Sequence, residues 1–337
     1  MFYAYNDERI RYTGRWGEEK NCRGDIGRIT TTATGAYLEF SFEGTQAVIH
    51  FDTALQGNPM PHLWISMDNG DRFESVVMPY LRLRAENDGK HTVCIIVKSA
   101  VETQQRWYTP LVARVSLRGI TVERLCAMKA DVRQTIEFVG DSITEGILID
   151  ENCRTKQEES LNRVYQDDVC ATYAWLAAEK LQLRPIMMGY GAVGVTKGGS
   201  GGVPKASLAY PYNFSGSSIT YDEPDYILIN HGTNDMRTTS ESYCGEYRIL
   251  LDVVRHIHPH SKIIAMAVLY GVHSEALAEL IALYNREHKT DIAFINASGW
   301  VSKEPLHPMR DGHKLAAEKL ADALRQIIQS DGAEKVV

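Results

Sequence analysis

The stretch Ile136–Gly146, IEFVGDSITEG, decides how this sequence is interpreted, because an apolar run stops there on small polar residues. The apolar residues end at Val139, and Gly140, Asp141 and Ser142 follow. Gly-Asp-Ser is ordinary turn chemistry. The same pattern also suits a serine nucleophile held at the end of a buried strand, so the flanking sequence has to distinguish the two.

The periodicity of the chain differs on the two sides of this stretch. After about residue 130, strand-like apolar runs (TIEFVG, PIMMGY, YILINHG, KIIAMAVL and IAFINAS) alternate with helical patterns. This alternation indicates a parallel sheet covered by helices on both faces. Residues 29–125 instead carry short alternating strands and a DNGD turn at 68–71, which favours an antiparallel β-sandwich. We therefore predict a β-sandwich over residues 1–128 and an α/β domain over residues 129–337.

Composition and charge exclude several classes of protein. The chain has 337 residues, of which 44% are hydrophobic and 23% charged, as in ordinary globular proteins. The net charge of -7 argues against nucleic-acid binding and against a basic membrane-surface protein. No apolar run approaches the roughly 18 residues of a membrane span, and the N-terminus lacks a signal-peptide pattern. The six cysteines form no CxxC pair, which is typical of reduced thiols, so we expect a cytoplasmic protein.

Candidate functional residues follow four of the predicted parallel strands. Ser142 follows the first, Gly191 and Gly194 the second, Asn234 the third and His307 the fifth. Ligands of such sheets bind beyond the carboxyl ends of the strands, so these residues are expected at one edge. An oxygen nucleophile, a base and hydrogen-bond donors for an oxyanion are the groups that acyl transfer needs.

These four blocks resemble those of the SGNH (GDSL-type) hydrolases. GDSITEG, GAVG, GTND and LHP occur in the family's order within residues 135–325. GRW at 14–16 and GKHTVCIIVK at 89–98 resemble, less specifically, the N-terminal domain of family 2 carbohydrate esterases. The resemblance implies a three-layer, flavodoxin-like α/β/α domain preceded by a jelly-roll-like sandwich. It also implies removal of O-acetyl groups from polysaccharides or oligosaccharides.

The resemblance also assigns roles to individual residues. Ser142 would attack the ester carbonyl and His307 would accept its proton. The Ser142 and Gly194 main-chain N–H groups and the Asn234 side chain would hold the oxyanion. Gly191 would serve the backbone turn, where glycine carries no steric penalty. Supporting positions are Asp141, Gly191 and Asp235, with Asp235 expected to hold its loop.

The acid of the triad departs from the family pattern. The family usually has aspartate three residues before the histidine, and here that position is Glu304. We predict that Glu304 is the third triad member, although a main-chain carbonyl is an alternative. His313 competes with His307 as the base, but its place at the start of the last helix favours packing or capping. His231, before the GTND block, is interpreted as a core histidine.

No cofactor or metal is expected. HIHPH at 256–260 has three alternate histidines, which can ligate zinc, but histidine near a helix C-terminus is favoured by the helix dipole. The expected partner is a small acylated sugar or oligosaccharide, with a homo-oligomer left open. Two alternatives remain: a lipase or thioesterase of the same fold, and a catalytically silent carbohydrate-binding protein.

Overall fold

The computed structural model describes three stretches of the chain: residues 1–19, 27–150 and 164–334. Its contacts divide the chain into two compact units. The first comprises Met1–Val132 and Tyr212–Tyr221, and the second comprises Arg133–Pro211 and Asp222–Val337. The division lies close to the boundary predicted after residue 128. The inclusion of Tyr212–Tyr221 in the first unit was not predicted.

The first unit is an antiparallel β-domain, as predicted. Ten strands formed by its described residues join one hydrogen-bonded sheet. They are β1 (Phe2–Ala4), β2 (Arg11–Thr13), β3 (Gly17–Glu19), β4 (Arg28–Thr31), β5 (Tyr37–Phe51), β6 (His62–Met67), β7 (Phe73–Val76), β8 (Tyr80–Arg84), β9 (Lys90–Ser99) and β10 (Val115–Cys126).

The long strand β5 organises this unit. Its residues 37–43 pair with β9, its residues 46–50 pair with β8, and β10 pairs along both halves. The sheet therefore divides into two arms, and inward side chains such as Phe40, Phe42 and Ile49 lie in one apolar core. The prediction of a β-sandwich is confirmed to this extent, but the arms are one continuous sheet rather than two separate ones. The jelly-roll topology stays a prediction.

Segment 191–222 is rich in glycine and aromatic residues and has no clear period, so the sequence predicts an ordered binding loop there. In the structure this segment contributes a hairpin to the first unit. This hairpin consists of β13 (Tyr212–Phe214) and β14 (Ser217–Ser218). Asn213 is fully buried there, and its Nδ2 donates to the Trp16 carbonyl oxygen at 2.9 Å. Tyr210, Tyr212 and Phe214 were expected to serve that binding loop, but Tyr210 and Phe214 are buried core side chains and Tyr212 alone is exposed. The aromatic rings of Tyr210 and Phe214 are therefore explained by packing in the core, since buried aromatic side chains contribute a large apolar area.

The second unit contains the predicted parallel sheet. Its strands are β11 (Thr135–Gly140), β12 (Arg184–Gly189), β15 (Tyr226–Asn230), β16 (Lys262–Met266) and β17 (Ala293–Ile295). They lie in the order β12-β11-β15-β16-β17, and every pair is parallel. Numbered along the chain this is 2-1-3-4-5, the flavodoxin-like order.

Helices connect these strands. They are α1 (Ser142–Glu145), α2 (Tyr173–Lys180), α3 (Ala206–Ala209), α4 (Ser240–Ile257), α5 (Ser274–His288) and α6 (Arg310–Glu334). The helices α2 and α6 contact each other, and so do α4 and α5. Right-handed crossovers would place these two pairs on opposite faces of the sheet. Within the described ranges, none of the helices has the length and apolarity needed to cross a membrane.

Strand register sets the position of the site. Gly140 of β11 pairs with Gly189 of β12 and with Asn230 of β15, so three strands end at the same level. In this order β11 lies between β12 and β15. Along the chain, β12 is added on one side of β11 and the next strands are added on the other side, so the direction in which the sheet grows reverses at β11. Ligands of open α/β sheets bind at this switch point, and Ser142 is two residues beyond it.

Candidate active site

Ser142 and His307 form a hydrogen-bonded pair. Ser142 is the first residue of α1, directly beyond β11, and His307 lies between β17 and α6. Ser142 Oγ is 2.8 Å from His307 Nε2. Ser142 is 7% exposed, so its hydroxyl is shielded but reachable. This geometry suits proton transfer from a serine hydroxyl to an imidazole base.

The turn into α1 is held by Asp141. Its carboxylate caps the helix by accepting from Ile143 N at 3.0 Å. Such caps satisfy a main-chain N–H that has no partner inside the helix. Asp141 is buried, and burial together with the charge of Asp235 raises its pKa to about 7. The carboxyl group next to Ser142 is therefore largely protonated below neutral pH.

Asn234 reaches the same region from a 3₁₀ turn, Thr233–Asp235, that follows β15. Its Nδ2 donates to the Val193 carbonyl oxygen at 3.0 Å and to Asp141 Oδ2 at 3.3 Å. The second bond is long, so it is the weaker of the two. An oxyanion formed at Ser142 would compete for this N–H. The Ser142 main-chain N–H, at the first helical position, has no acceptor inside the helix.

Gly194 lies against the Asp235 carboxylate. A Cβ at position 194 would be 2.5 Å from Asp235 Oδ1, so only glycine fits there. The buried Asp235 carboxylate accepts from Val195 N and Thr196 N, each at 3.0 Å, and so braces this loop. The Gly194 N–H itself donates to Lys197 O at 3.0 Å. The structure thus does not support the prediction that Gly194 supplies an oxyanion donor, because its N–H is already used within the loop.

The role expected for Gly191 is performed by its neighbour. The left-handed residue of this turn is Ala192, with φ of 60°. Gly191 instead donates its N–H to Glu145 Oε2 at 2.6 Å. Glu145 is buried at the end of α1, so it joins the serine and glycine segments. Glu145 was not among the residues predicted from the sequence, although its place inside GDSITEG, beside an otherwise apolar stretch, was a usable signal.

Glu304 does not join the pair. Its side chain is exposed. In the described part of the chain its hydrogen bonds are those of its main chain with Ser302, and no ion pair or hydrogen bond joins its carboxylate to His307. The geometry therefore does not support the prediction that Glu304 completes a triad. The reason is local: main-chain bonds to Ser302 shape this part of the loop and leave the carboxylate in solvent.

The two competing histidines are buried. His313 Nδ1 accepts from Tyr173 N at 3.0 Å and so caps the start of α2. Burial lowers the pKa of His313 to about 3 and that of His231 to about 4. Both rings are therefore neutral at physiological pH. His313 has the packing and capping contacts predicted for it, and His231 lies in the core as interpreted.

The HIHPH motif, His256–His260, closes the end of α4. His258 is the C-cap residue of this helix and is buried against the Tyr210 ring. Across residues 1–19, 27–150 and 164–334, no group of three histidine, cysteine or acidic side chains is arranged to hold a metal ion.

The fold that carries this site is shared with solved structures of family 2 carbohydrate esterases. The family 2 carbohydrate esterase from Cellvibrio japonicus has a TM-score of 0.78 and 20% identity, with 98% of each chain covered. The acetyl xylan esterase Est2A from Butyrivibrio proteoclasticus has a TM-score of 0.75 and 17% identity, again with 98% of each chain covered. At these identities the likeness establishes the fold.

A third solved structure, a family 2 carbohydrate esterase from Clostridium thermocellum in complex with cellohexaose, has a TM-score of 0.74 and 20% identity. The match covers 95% of this chain and 99% of that one. No protein-family model and no curated protein matches the sequence. The predicted parallel α/β sheet and the likeness to family 2 carbohydrate esterases are thus found by structure rather than by sequence, whereas the β-sandwich of the leader is borne out only in part.

Glu304→Gln is expected to leave kcat within about twofold of wild type. The exposed carboxylate makes no bond to His307, so its charge and acceptor capacity do not set the imidazole tautomer. The measurement is steady-state hydrolysis of p-nitrophenyl acetate, with Ser142→Ala as the inactive reference. A tenfold or larger fall in kcat with intact folding would show that Glu304 orients His307 after all, since an orienting carboxylate is worth up to about 10⁴ in kcat.

His313→Asn is expected to make the free energy of unfolding depend less on pH below about pH 6.5. The pKa of His313 falls from 6.5 in the unfolded chain to about 3 in the folded protein, so between these values the unfolded state holds one more proton. The contribution of the neutral His313 to stability is then fully present above about pH 6.5. As the pH falls below that value, the free energy of unfolding decreases by up to about 1.4 kcal/mol per pH unit. Asparagine keeps an acceptor for Tyr173 N–H but does not titrate.

Urea unfolding at pH 7.5, 6.0 and 5.0 checks this expectation. The exposed His260, changed to asparagine, is the matched control, and its pH slope should equal that of wild type. The prediction is wrong if His313→Asn and wild type lose the same free energy of unfolding between pH 6.0 and 5.0.

Proposed function

We propose that this protein is a serine esterase that hydrolyses O-acetyl esters of carbohydrates. The observation that carries the proposal is the 2.8 Å contact between Ser142 Oγ and His307 Nε2 at the switch point of the sheet. Asn234 lies beside them through its bond to Asp141. A hydroxyl, an imidazole base and an amide donor at one site are what acyl transfer requires.

The geometry supports a two-step reaction. Ser142 Oγ attacks the acetyl carbonyl carbon while His307 Nε2 takes the hydroxyl proton. The oxyanion accepts hydrogen bonds from the Ser142 N–H and from Asn234 Nδ2. The intermediate collapses to acetyl-Ser142, and His307 returns the proton to the departing sugar oxygen. Water, deprotonated by His307, then attacks the acetyl group, and acetate leaves as Ser142 regains its proton.

The choice of an acetylated carbohydrate is supported by the relatives in fold. The three solved structures compared above are carbohydrate esterases, one of them named an acetyl xylan esterase and another bound to cellohexaose. The chain spans these proteins almost entirely, including a counterpart of the β-domain. This support is fold-level analogy, so the sugar and the acyl group need direct measurement.

An ester panel tests the proposal. Acetate release is expected from acetylated xylo- or gluco-oligosaccharides, and p-nitrophenyl acetate should be cleaved faster than the butyrate and octanoate esters. Ser142→Ala should abolish turnover, because no other group is positioned to attack. Wild-type turnover in a folded Ser142→Ala protein would show that Ser142 is not the nucleophile. A preference for octanoate would indicate a lipase-type enzyme, and sugar binding without acetate release would indicate a binding protein.

Asn234→Ala is expected to lower kcat by about 10²–10³, the usual cost of losing one oxyanion donor. KM should change little, because the bond strengthens only as negative charge develops on the carbonyl oxygen. Steady-state kinetics on p-nitrophenyl acetate separate the two constants. A change confined to KM would mean that Asn234 contributes to substrate binding alone.

A further inference from the structure

The segment that carries His307 has little regular structure to hold it. From Asn296 to Met309 the chain forms neither helix nor strand, and residues 302–306 are exposed. The imidazole must nevertheless stay within hydrogen-bond distance of Ser142 Oγ. A misplacement of about 1 Å at a reacting group can cost roughly 10²-fold in rate. The segment therefore needs an anchor close to His307.

Arg310, three residues after His307, provides such an anchor. Its main-chain N–H donates to Ile149 O at 3.1 Å. Its guanidinium forms a two-bond ion pair with Asp150, with Nε 2.8 Å from Oδ1, and also contacts Asp168 Oδ2 at 3.3 Å. We infer that Arg310 is a positioning residue that fixes His307 relative to Ser142, and this inference rests on the Ser142–His307 pair of the proposed function.

The partners of Arg310 belong to the serine side of the site. Asp168 donates its main-chain N–H to Gly146 O at 2.9 Å, and Gly146 N–H donates to Ser142 O at 3.1 Å. Gly146 has φ of 90°, and a Cβ there would be 2.6 Å from Asp168 O. The contacts run without interruption from Ser142 through Gly146 and Asp168 to Arg310. A change at Arg310 therefore acts on the distance between the two reacting groups.

The charges of this cluster also favour the reaction. His307 becomes an imidazolium when it takes the serine proton, and an isolated guanidinium nearby would oppose that change. Arg310 and His307 both lie close to His313. Burial lowers the pKa of His313 most, and positive charge on His307 and Arg310 lowers it further. Two carboxylates face Arg310, and Asp168 is buried. The cluster of Asp150, Asp168 and Arg310 thus has a net negative charge.

The test measures the reactivity of Ser142 with a fluorophosphonate, which needs no sugar. Ser142 Oγ forms a bond to phosphorus as fluoride leaves, and His307 takes the proton. Arg310→Gln is expected to lower the labelling rate and kcat on p-nitrophenyl acetate by about 10- to 100-fold, with KM little changed. Arg310→Lys should recover part of the loss, because lysine keeps the charge but not the two-bond geometry.

Asp150→Asn is a second route to the same loss. It removes the two-bond pair while leaving Arg310 in place, and the double variant Arg310→Gln/Asp150→Asn should be no slower than Arg310→Gln alone. The matched control is Arg325→Gln, which removes an exposed Arg325–Asp322 pair on the same helix. It should keep wild-type labelling. Circular dichroism and thermal unfolding give the folded fraction of each variant.

The inference is overturned if folded Arg310→Gln and Asp150→Asn both label within about twofold of wild type, or if only KM changes. If Arg310→Gln does not fold, Asp150→Asn decides alone. If the wild-type protein is labelled by the fluorophosphonate but releases no acetate from sugars, the proposed substrate is refuted. The labelling rates of the Arg310 and Asp150 variants then still test the inference. A wild-type protein that does not label refutes the Ser142–His307 pair, and the inference with it.

Discussion

The hydrogen bond between Ser142 and His307 joins groups that are 165 residues apart in the chain, and the α/β unit is arranged to make it possible. In the sheet, β11 and β17 are separated by β15 and β16. Three strand spacings amount to about 14 Å. The segment after β17 has ample length to cross this gap, so reach is not the difficulty. The constraint is precision, because a segment without regular structure has many conformations in which the imidazole misses the hydroxyl.

Main-chain N–H groups held by buried carboxylates supply much of that precision. Asp141 accepts from Ile143 N, Glu145 from Gly191 N, and Asp235 from Val195 N and Thr196 N. Each carboxylate satisfies donors that would otherwise be buried without a partner, which is costly. Each also connects the end of one strand to the loop that follows another, since Asp141 accepts from Asn234 Nδ2 in addition to capping its own helix.

The sequence predicted the elements better than the contacts between them. The positions of strands and helices follow from the period of the apolar residues. The ends of strands are marked by the small and polar residues around Gly140 and before Asn234. The hairpin Tyr212–Phe214/Ser217–Ser218 was not predictable, because its membership of the β-domain depends on long-range contacts such as Asn213 to Trp16. Glu304 shows the same limit. Its spacing from His307 fits a triad, but the direction of a side chain in a loop is not a property of spacing.

Placing carboxylates around a site that is proposed to generate an oxyanion has an electrostatic cost, since like charges repel more strongly where water is excluded. The structure limits this cost in two ways. Asp235 faces two N–H groups, whose dipoles offset its charge. Asp141, adjacent to Ser142, has a pKa raised to about 7 because it is buried near Asp235, so below neutral pH it is largely uncharged. A protonated Asp141 still caps α1 through its carbonyl oxygen, and it does not oppose negative charge on the substrate. The residue next to the nucleophile can thus perform its structural role without working against the chemistry.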